Sequence, residues 1–559
     1  MEPIHILIGG EAGQGLQTVG PIFARSLVRS GYSVHVTQTY ESRVRGGHNT
    51  FSIRTGTERV LAGEESIDLL IALNKETVEI QRKKLKPKKS RIIGNAEWGA
   101  KGKGWIGVPF KELGEEIYWN MASVGVAASL LGLDQEVVSK AVEDGLGKER
   151  FDENRKVLES SYRWVEEQGF EWEKLPPVSK PPKRWLLHGH EAVALGAISA
   201  GMKLCAFYPM SPSTSIPQTL IRWAKEMDLI VEQAEDEIAA INMAIGASYA
   251  GVPSMVTTSG GGFSLMVEAV SLAAVSETPV VVVVGQRPGP ATGLATCTEQ
   301  GDLWFVLHSG HGEFPRAVFA PGTIEDCFQL TRKAFELAEK YQGPMFVLTD
   351  HFLADSYRDL EPIDVRRLSP FRPGQDPAGV KKSPYLRYEI TKRGVSPRLL
   401  PGASNHLVVA DSHEHTENGH LTEDLLIRPR MVDKRLRKGE GIRSEVIPPK
   451  YNGDKKPDWL LVSWGSTRGA AEEAASQIRS KIRKVATLHF SQVWPMIPDH
   501  FMNHLKQARR VICVENNATG QLAQLIRRET GFLIKKRISR YDGLPITPEY
   551  ILRQFKNGV

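Results

Sequence analysis

Four short segments between residues 208 and 302 carry side chains that could do chemistry together. They are residues 208–214 (Tyr-Pro-Met-Ser-Pro-Ser-Thr), 235–237 (Glu-Asp-Glu), 257–262 (Thr-Thr-Ser-Gly-Gly-Gly) and 287–293 (Arg-Pro-Gly-Pro-Ala-Thr-Gly). The acidic segment ends on Glu237, and a run of small and apolar residues follows it, which predicts a helix too apolar to face solvent. A carboxylate at the start of such a helix can be nearly buried, so that it shares a proton with a bound ring and not with water. The alternative is that these carboxylates only decorate a helix N-terminus, where they favour the helix dipole.

This pattern indicates one half of a thiamine diphosphate site. Thiamine chemistry needs a nearly buried carboxylate that hydrogen-bonds the aminopyrimidine ring, which then removes a proton from the thiazolium ring, and Glu237 meets that need. A complete site also needs a Gly-Asp-Gly segment followed by Asn, which hold Mg²⁺ on the diphosphate through oxygen ligands. The sequence contains no such segment. We therefore expect the chain to be one subunit, with the diphosphate half supplied by a partner.

The elements that must position these segments predict an α/β protein of three doubly wound domains. At the N-terminus, a buried-strand pattern, a glycine loop at residues 9–15 and a helical pattern from Leu16 to Ser30 precede another strand pattern, which predicts a parallel α/β unit. The predicted domain ranges are 1–175, 185–355 and 456–559, with an extended, partly ordered arm over 356–455 that wraps a neighbour.

Composition is that of a globular protein with several domains. The chain has 559 residues, and single cores rarely grow past about 250–300 residues. The net charge is +6, with basic runs at residues 83–89 and 434–438 that we interpret as solvated faces, an acidic partner or nucleotide being the alternative. The four cysteines are scattered singly, so an iron–sulfur or zinc site made by this chain alone is not expected, and reduced thiols suit the cytoplasm. We expect no nucleic-acid partner and no membrane partner.

The central part of the chain resembles the α subunit of 2-oxoacid:ferredoxin oxidoreductases, especially the 2-oxoglutarate type. The family's Tyr-Pro-Ile-Thr-Pro-Ser-Thr motif corresponds to residues 208–214, and its Asp-Glu-Ile-Ala-containing run corresponds to residues 232–248. Its Gly-Pro-Ser-Thr-Gly-Leu-Pro-Thr run corresponds to residues 289–303, and further matches follow at residues 311–316 and throughout the arm. The N-terminal domain resembles the family's γ subunit. The sequence is therefore identified as a γ–α fusion.

The γ resemblance rests on two glycine motifs. The first is the loop at residues 9–15, which includes Gly13 and Gly15, and the second comprises Arg45, Gly46, Gly47 and His48. Backbone N–H groups of such a loop at a helix N-terminus could hold a coenzyme A phosphate, but a tight strand–helix turn without a ligand is equally consistent. NAD binding is disfavoured because the spacing departs from the dinucleotide fingerprint and no convincing ribose-binding acid follows.

The resemblance also implies roles for individual side chains. Glu237 takes the role of the carboxylate that activates the aminopyrimidine, beside the motif that includes Tyr208 and Pro209. Arg287 falls where the family contacts the substrate carboxylate, and a planar guanidinium suits that group. Three hydroxyl side chains of the same region are the other substrate-binding candidates: Ser211, Thr214 and Thr292. The family's threonine is serine at position 211, Met210 replaces isoleucine and Ala295 replaces proline. These departures leave the reaction class intact and the substrate open.

The implied reaction converts a 2-oxoacid, coenzyme A and oxidised ferredoxin to acyl-CoA, carbon dioxide and reduced ferredoxin, in either direction. The implied cofactors are thiamine diphosphate, shared with a β subunit, and Mg²⁺ and a [4Fe-4S] cluster carried by that subunit. The implied partners are the β subunit, in an (αβ)₂ assembly, and ferredoxin. The alternatives are a pyruvate, branched-chain or aryl-pyruvate enzyme, and a non-catalytic scaffold subunit.

Two other groups of residues contain side chains that could be reactive. The group formed by Asp411, His413, His415 and His420 has a metal-like density of ligands, but the family's arm motifs account for the same residues, so we predict no metal site. Cys297 would need an adjacent base to act as a nucleophile, and an ordinary buried thiol is the preferred interpretation.

Overall fold

The computed structural model describes residues 2–40, 46–99, 102, 104–370, 380, 383–479 and 483–556. Its strands are β1 (Ile4–Ala12), β2 (Ser33–Thr39), β3 (Gly46–Gly56), β4 (Leu69–Ala72), β5 (Arg91–Asn95), β6 (Trp105–Val108), β7 (Trp185–His188), β8 (Leu204–Phe207), β9 (Ile230–Gln233), β10 (Ser254–Ser259), β11 (Val280–Gln286), β12 (Val318–Phe319), β13 (Pro344–Asp350), β14 (Tyr357–Leu360), β15 (Lys450–Gly453), β16 (Trp459–Trp464), β17 (Val485–Phe490), β18 (Gln492–Trp494), β19 (Arg510–Glu515) and β20 (Lys536–Ser539).

The helices are α1 (Leu16–Arg29), α2 (Lys75–Gln81), α3 (Phe110–Leu113), α4 (Trp119–Leu131), α5 (Gln135–Leu146), α6 (Phe151–Gln168), α7 (Gly189–Ser199), α8 (Ser215–Met227), α9 (Glu237–Tyr249), α10 (Gly260–Val275), α11 (Leu303–Leu307), α12 (Ile324–Tyr341), α13 (His351–Asp355), α14 (Ile427–Ser444), α15 (Arg468–Arg479), α16 (Met502–Gln507), α17 (Gln521–Thr530) and α18 (Pro548–Lys556). Short 3₁₀ turns occur at Arg82–Lys84, Ala96–Trp98, Glu116–Tyr118, Lys148–Arg150, Val365–Arg367, Gly465–Thr467 and Pro498–His500.

One compact unit comprises Met1–His188, Asp355–Ile363 and Thr547–Tyr550. Its sheet has the strand order β6-β5-β4-β1-β3-β2-β14-β7. Strands β1 and β2 run parallel as predicted, but β3 lies between them and is antiparallel to both. The sequence analysis did not anticipate β3, whose buried apolar side chains Phe51 and Ile53 alternate with polar residues. Strands β7 and β14 complete this sheet at its edge, and the predicted domain boundaries stay predictions.

The other unit comprises Gly189–Ala354, Asp364–Ile546 and Ile551–Val559 and contains two sheets. The first has the order β18-β12-β13-β11-β10-β8-β9 and the second the order β15-β17-β16-β19-β20. Within the first, β9, β8, β10, β11, β13 and β12 all run parallel to one another, and β18 pairs antiparallel with β12 at the edge. Every residue of β11 is buried, as expected for a parallel strand that helices cover on both faces. The predicted α/β class is confirmed.

The arm is more regular than predicted. It contains the 18-residue helix α14, and β15 pairs with β17 of the second sheet. Lys434, Arg435 and Lys438 of α14 are buried, so the interpretation of the 434–438 run as a solvated face is wrong. The physical reason is pairing, because Glu277, which is 0% exposed, bonds with Lys434 and Lys438.

Candidate active site

The four chemically interesting segments meet at one edge of the seven-stranded sheet. Residues 208–214 follow β8, Glu237 follows β9, Gly260 follows β10 and Arg287 follows β11. These four strands are neighbours and run parallel, so the segments after them lie at the same carboxyl edge. This is the edge at which open α/β sheets bind ligands.

Glu237 is buried inside this edge. Asp236 occupies the N-cap position of α9, and its side chain accepts a hydrogen bond from the backbone N–H of Ala239 at 2.8 Å. Capping is therefore performed by Asp236, while Glu237 is only 4% exposed. Its Oε1 atom is buried without a hydrogen-bond partner among the described residues. A buried carboxylate oxygen with no partner is costly unless a ligand supplies a donor, so this atom is where we expect one.

The glycines at the start of α10 make room for this carboxylate. A Cβ at position 262 would lie 2.5 Å from Oε1 of Glu237, whereas one at Gly261 would meet nothing closer than 3.7 Å. The backbone N–H of Gly262 donates to Sδ of Met210 at 3.3 Å. The sequence analysis noted Met210 only as a departure from the family motif, and no spacing rule predicts this contact.

The helix that begins at Glu237 is not fully enclosed by this chain. Ile238 is 50% exposed and Met243 is 38% exposed. The expectation that α9 is too apolar to face solvent is wrong for the isolated chain. Its other face is buried through Ala240, Ile241 and Ala244.

The structure brings Arg287 and Ser211 together. Nη1 of Arg287 donates to the carbonyl oxygen of Ser211 at 2.8 Å, and Nε of Arg287 is buried without a partner in the described part of the chain. Burial lowers the pKa of Arg287, and the nearby Asp302 carboxylate opposes that shift.

The other predicted substrate and cofactor residues of this region differ in their exposure. Tyr208, Pro209, Ser211 and Thr292 are exposed, whereas Thr214 is half-buried at the N-terminus of α8. No described contact links Thr292 to Arg287.

The two glycine motifs of the N-terminal unit also meet. Ala12 pairs with Gly46 where β1 and β3 lie side by side, which places Gly13 and Gly15 near Gly46 and Gly47. Gly13 and Gly15 adopt φ values of 99° and 77°, and a Cβ at Gly15 would clash with Asn120. Gly15 is the N-cap residue of α1, whose first turn has no acidic side chain. Arg45 lies outside the described residues.

The histidine-rich part of the arm shows local pairing. His413 pairs with Asp411 at 2.8 Å, and the buried His415 lies against the ring of Tyr388 at a centroid distance of 3.9 Å. His420 is exposed. Within the described ranges, no three His, Cys, Asp or Glu side chains are grouped as metal ligands would be. Cys297 is half-buried, and burial raises the pKa of its thiol.

Comparison with known proteins decides the family. Residues 195–432 match the family described as "Pyruvate flavodoxin/ferredoxin oxidoreductase, thiamine diP-bdg", and residues 5–164 match "Pyruvate ferredoxin/flavodoxin oxidoreductase". The α subunit of 2-oxoacid:ferredoxin oxidoreductase 2 from Aeropyrum pernix is 31% identical, over 98% of this chain and 96% of its own length. The chain belongs to the 2-oxoacid:ferredoxin oxidoreductase α-subunit family.

Two further relatives are similar along almost their whole length. The α subunit of 2-oxoacid:ferredoxin oxidoreductase from a Sulfolobus species is 29% identical over 99% of this chain and 97% of its own. The solved structure of the 2-oxoglutarate:ferredoxin oxidoreductase from Magnetococcus marinus, with 2-oxoglutarate, coenzyme A and succinyl-CoA bound, is 29% identical. The match covers 100% of this chain and 99% of the Magnetococcus marinus chain, with a TM-score of 0.92. The family resemblance drawn from the sequence motifs is confirmed. None of the helices in the described part of this family member has the length and apolar character needed to cross a membrane.

Proposed function

We propose that this chain is the γ–α subunit of a thiamine-dependent 2-oxoacid:ferredoxin oxidoreductase that decarboxylates 2-oxoglutarate, or a related 2-oxoacid, to acyl-CoA and carbon dioxide. The observation that carries the proposal is the buried Oε1 atom of Glu237, which has no hydrogen-bond partner in the described part of the chain and lies beside a glycine position with no room for a side chain.

The residues present fit the pyrimidine half of thiamine diphosphate. When bound, that cofactor supplies the nucleophilic carbon that adds to the 2-oxo group and accepts the electrons left when carbon dioxide departs. Glu237 would hold a proton at Oε1 and share it with the aminopyrimidine ring, because its apolar surroundings exclude water from that hydrogen bond. Tyr208, Pro209 and Met210 would line the same cofactor from the loop after β8.

Arg287 would hold the carboxylate of the 2-oxoacid. Its bond to the carbonyl of Ser211 uses Nη1, and Nε has no hydrogen-bond partner among the residues that the structure describes. A guanidinium can donate two parallel hydrogen bonds to one carboxylate, which fixes the orientation of the substrate. The hydroxyls of Ser211, Thr214 and Thr292 are the further candidates for substrate contact.

A partner must complete the site. We propose that a β subunit brings the diphosphate ligands, Mg²⁺ and the [4Fe-4S] cluster, and that electrons leave through it to ferredoxin in an (αβ)₂ complex. The exposed apolar side chains Ile238 and Met243, on the helix that begins at Glu237, support this partnership because such residues are usually covered. The four free cysteines suit the cytoplasmic location that we also propose.

Coenzyme A would be the second substrate. The glycine loop of the N-terminal unit is the candidate for its phosphates, since Gly15 opens the N-terminus of α1, whose first turn carries no acidic side chain. Gly13, Gly46 and Gly47 would contribute by keeping this surface free of side chains, and Arg45 would contribute a positive charge.

The test is reconstitution with a β subunit. The chain is produced alone and together with the partner, and viologen reduction is measured with coenzyme A and a panel of 2-oxoacids. We expect no reduction and no iron–sulfur absorbance from the chain alone, and activity from the complex that is highest with 2-oxoglutarate. Activity of the isolated chain would contradict the proposal that it holds only half of the active site. A complex that has bound its cofactors but turns over no 2-oxoacid would contradict the proposed function.

A further inference from the structure

The loop that carries Arg287 leaves the seven-stranded sheet and returns to it at one point. Gln286 is the last residue of β11 and is buried, and its Oε1 accepts a hydrogen bond from the backbone N–H of Asp302 at 3.0 Å. Nε2 of the same side chain donates to the carbonyl oxygen of Thr349 on β13 at 3.0 Å. Residues 287–301 therefore form a loop whose two ends are held together by one buried side chain.

The two halves of this loop differ in how they are held. Residues 289–294 are exposed, and the backbone hydrogen bond described there, from the N–H of Leu294 to the carbonyl of Pro288 at 3.1 Å, stays within the loop. Thr298 and Gln300, in the second half, are buried. The position of the exposed half therefore depends on the residues that hold the buried half.

Gln300 holds the second half of the loop against the five-stranded sheet. It is 0% exposed, and its Nε2 donates to the carbonyl oxygen of Trp464, the last residue of β16, at 2.8 Å. Its Oε1 accepts from the backbone N–H of Asn516 at 3.0 Å, and its own backbone N–H donates to the Asn516 carbonyl at 2.7 Å. Its carbonyl accepts from Nδ2 of Asn517 at 3.1 Å. One glutamine thus bonds, through its side-chain amide and its backbone, to residues at or just after the carboxyl ends of β16 and β19.

The partners of Gln300 are themselves fixed. Nδ2 of Asn516 donates to the carbonyl of Arg540 at 2.7 Å and to that of Leu544 at 3.3 Å. Gly465 leaves the space that the Gln300 amide occupies, since a Cβ there would lie 2.7 Å from Nε2 of Gln300. Gln300 is therefore bonded to a part of the chain that is held in place by further bonds of its own.

A second glutamine holds the same segment. Gln521, at the start of α17, donates from Nε2 to the carbonyl of Gly301 at 2.7 Å and accepts at Oε1 from the backbone N–H of Trp304 at 3.1 Å. Gln521 is 9% exposed, so its bonds are less shielded from water than those of Gln300. Residues 300–304 are thus bonded to both sheets of this unit.

We propose that Gln300 is a positioning residue for Arg287. The inference rests on the proposed function, which places the carboxylate of the 2-oxoacid at that guanidinium. Among the described residues the guanidinium makes one hydrogen bond, from Nη1 to the carbonyl of Ser211 at 2.8 Å, so its direction also depends on the backbone of the loop. By fixing the end of the loop to the five-stranded sheet, Gln300 limits the positions that the guanidinium can take before the substrate arrives.

Loss of the side-chain bonds of Gln300 should raise the KM of the 2-oxoacid and leave kcat nearly unchanged. A loop released at one end samples more conformations, and the substrate must order it on binding, whereas the ordered complex reacts as before. The expected rise in KM is about tenfold, which corresponds to the loss of one hydrogen bond. A role in stability alone would instead lower the amount of folded enzyme and leave KM as it is.

The experiment uses the complete complex with its β subunit. Gln300→Met keeps the length of the side chain and removes both of its hydrogen bonds, and KM and kcat are measured for the 2-oxoacid together with the KM of coenzyme A. Gln492→Met is the matched control, because Gln492 is also buried and also bonds two backbone groups, the N–H of Ile447 at 2.9 Å and the carbonyl of Trp494 at 3.1 Å. We expect the higher KM for the 2-oxoacid in Gln300→Met alone, with an unchanged KM for coenzyme A. An unchanged KM for the 2-oxoacid in Gln300→Met, or an equal rise in both variants, would overturn the inference.

A milder variant makes the test independent of the folding of Gln300→Met. Gln521→Met removes the bonds to Gly301 and Trp304 at a less buried position, and the KM of the 2-oxoacid should rise in the same direction by a smaller factor. If Gln300→Met does not fold, a wild-type KM in Gln521→Met overturns the inference.

A second measurement needs no turnover. Amide hydrogen exchange is followed in the full chain over residues 294–302, which include the N–H groups that bond to Asn516 and Gln286. We expect faster exchange in Gln300→Met than in the wild type and in Gln492→Met, and equal exchange in Gln300→Met and the wild type would overturn the inference. A wild-type complex that turns over no 2-oxoacid, while the variants show the expected exchange, would instead contradict the proposed function, so the two failures are distinguishable.

Discussion

Oε1 of Glu237 lies against the α-carbon of Gly262, so closely that a Cβ at position 262 would be only 2.5 Å away. The carboxylate comes from the start of α9 and the glycine from the start of α10, and the two strands that precede them are separated in the sheet by β8. The parallel sheet therefore places a carboxylate and a glycine from two different loops in direct contact. The same oxygen is buried and has no hydrogen-bond partner among the described residues.

Alanine should be much more harmful at Gly262 than at the neighbouring Gly261. Gly262→Ala forces a methyl group against Glu237 and Thr258, and we expect a loss of about 1–3 kcal/mol in the free energy of unfolding together with a large loss of activity. Gly261→Ala is the control, because its Cβ would make only ordinary contacts at 3.7 Å and beyond. Denaturant unfolding of both variants measures the difference, and equal stabilities would contradict the close contact.

Glu237→Gln tests the role of the carboxylate itself. Glutamine fills the same space but cannot hold and share the proton, so we expect kcat of the complex to fall by about 10²–10⁴-fold while the subunits still assemble. Glu235→Gln changes an exposed carboxylate two residues earlier and should have wild-type activity. Activity is measured by viologen reduction and assembly by size-exclusion chromatography. Wild-type rates in Glu237→Gln would refute the assigned role.

The location of this site could be predicted from sequence because its signals are local. Glycine turns, an acidic N-terminus and strand patterns mark the ends of parallel strands, and the carboxyl ends of neighbouring parallel strands must meet. The interpretation of Glu237 as a buried residue needed only the apolar run behind it. The contact of Gly262 with Met210 could not be predicted, because residues far apart in sequence meet there through loop conformations that no periodicity encodes.

Arg287→Lys tests the carboxylate contact. Lysine keeps the positive charge but loses the planar pair of donors, and hydrogen bonds to charged groups contribute about 1.5–3 kcal/mol each. We therefore expect kcat/KM for the 2-oxoacid to fall by about 10–100-fold, mainly through KM, with the KM of coenzyme A unchanged. Arg222→Lys changes a guanidinium that is 62% exposed on α8 and should leave both constants unaltered. An unchanged KM for the 2-oxoacid in Arg287→Lys would place the substrate carboxylate elsewhere.

The helix α14 shows why the arm was predicted as extended. Helical periodicity is recognised by apolar residues on one face, but the buried face of α14 carries Lys434, Arg435 and Lys438. Such a face looks solvated in the sequence. It can be buried because carboxylates pair with it: Glu277, just after α10 and about 160 residues earlier in the chain, lies 2.6 Å from Lys434, and Glu414 lies 2.8 Å from Arg435.

Removing that one carboxylate should therefore destabilise the arm more than any exposed ion pair does. Glu277 is 0% exposed, its pKa is held low by Lys434 and Lys438 against the effect of burial, and burial in turn lowers the pKa of Lys438 to about 7. Glu277→Gln leaves two buried amino groups without a counter-charge, and we expect a loss of about 3–5 kcal/mol in the free energy of unfolding. Glu336→Gln removes a half-exposed partner of Lys333 and should cost less than about 1 kcal/mol. Denaturant unfolding at pH 7 measures both, with limited proteolysis to show whether the arm is the part released.

The stability loss of Glu277→Gln should also depend on pH. Because deprotonation of Lys438 relieves the unpaired charge, the loss in the free energy of unfolding relative to the wild type should shrink as pH rises from 7 to 9. A loss that grows over that range would contradict this account of the buried cluster.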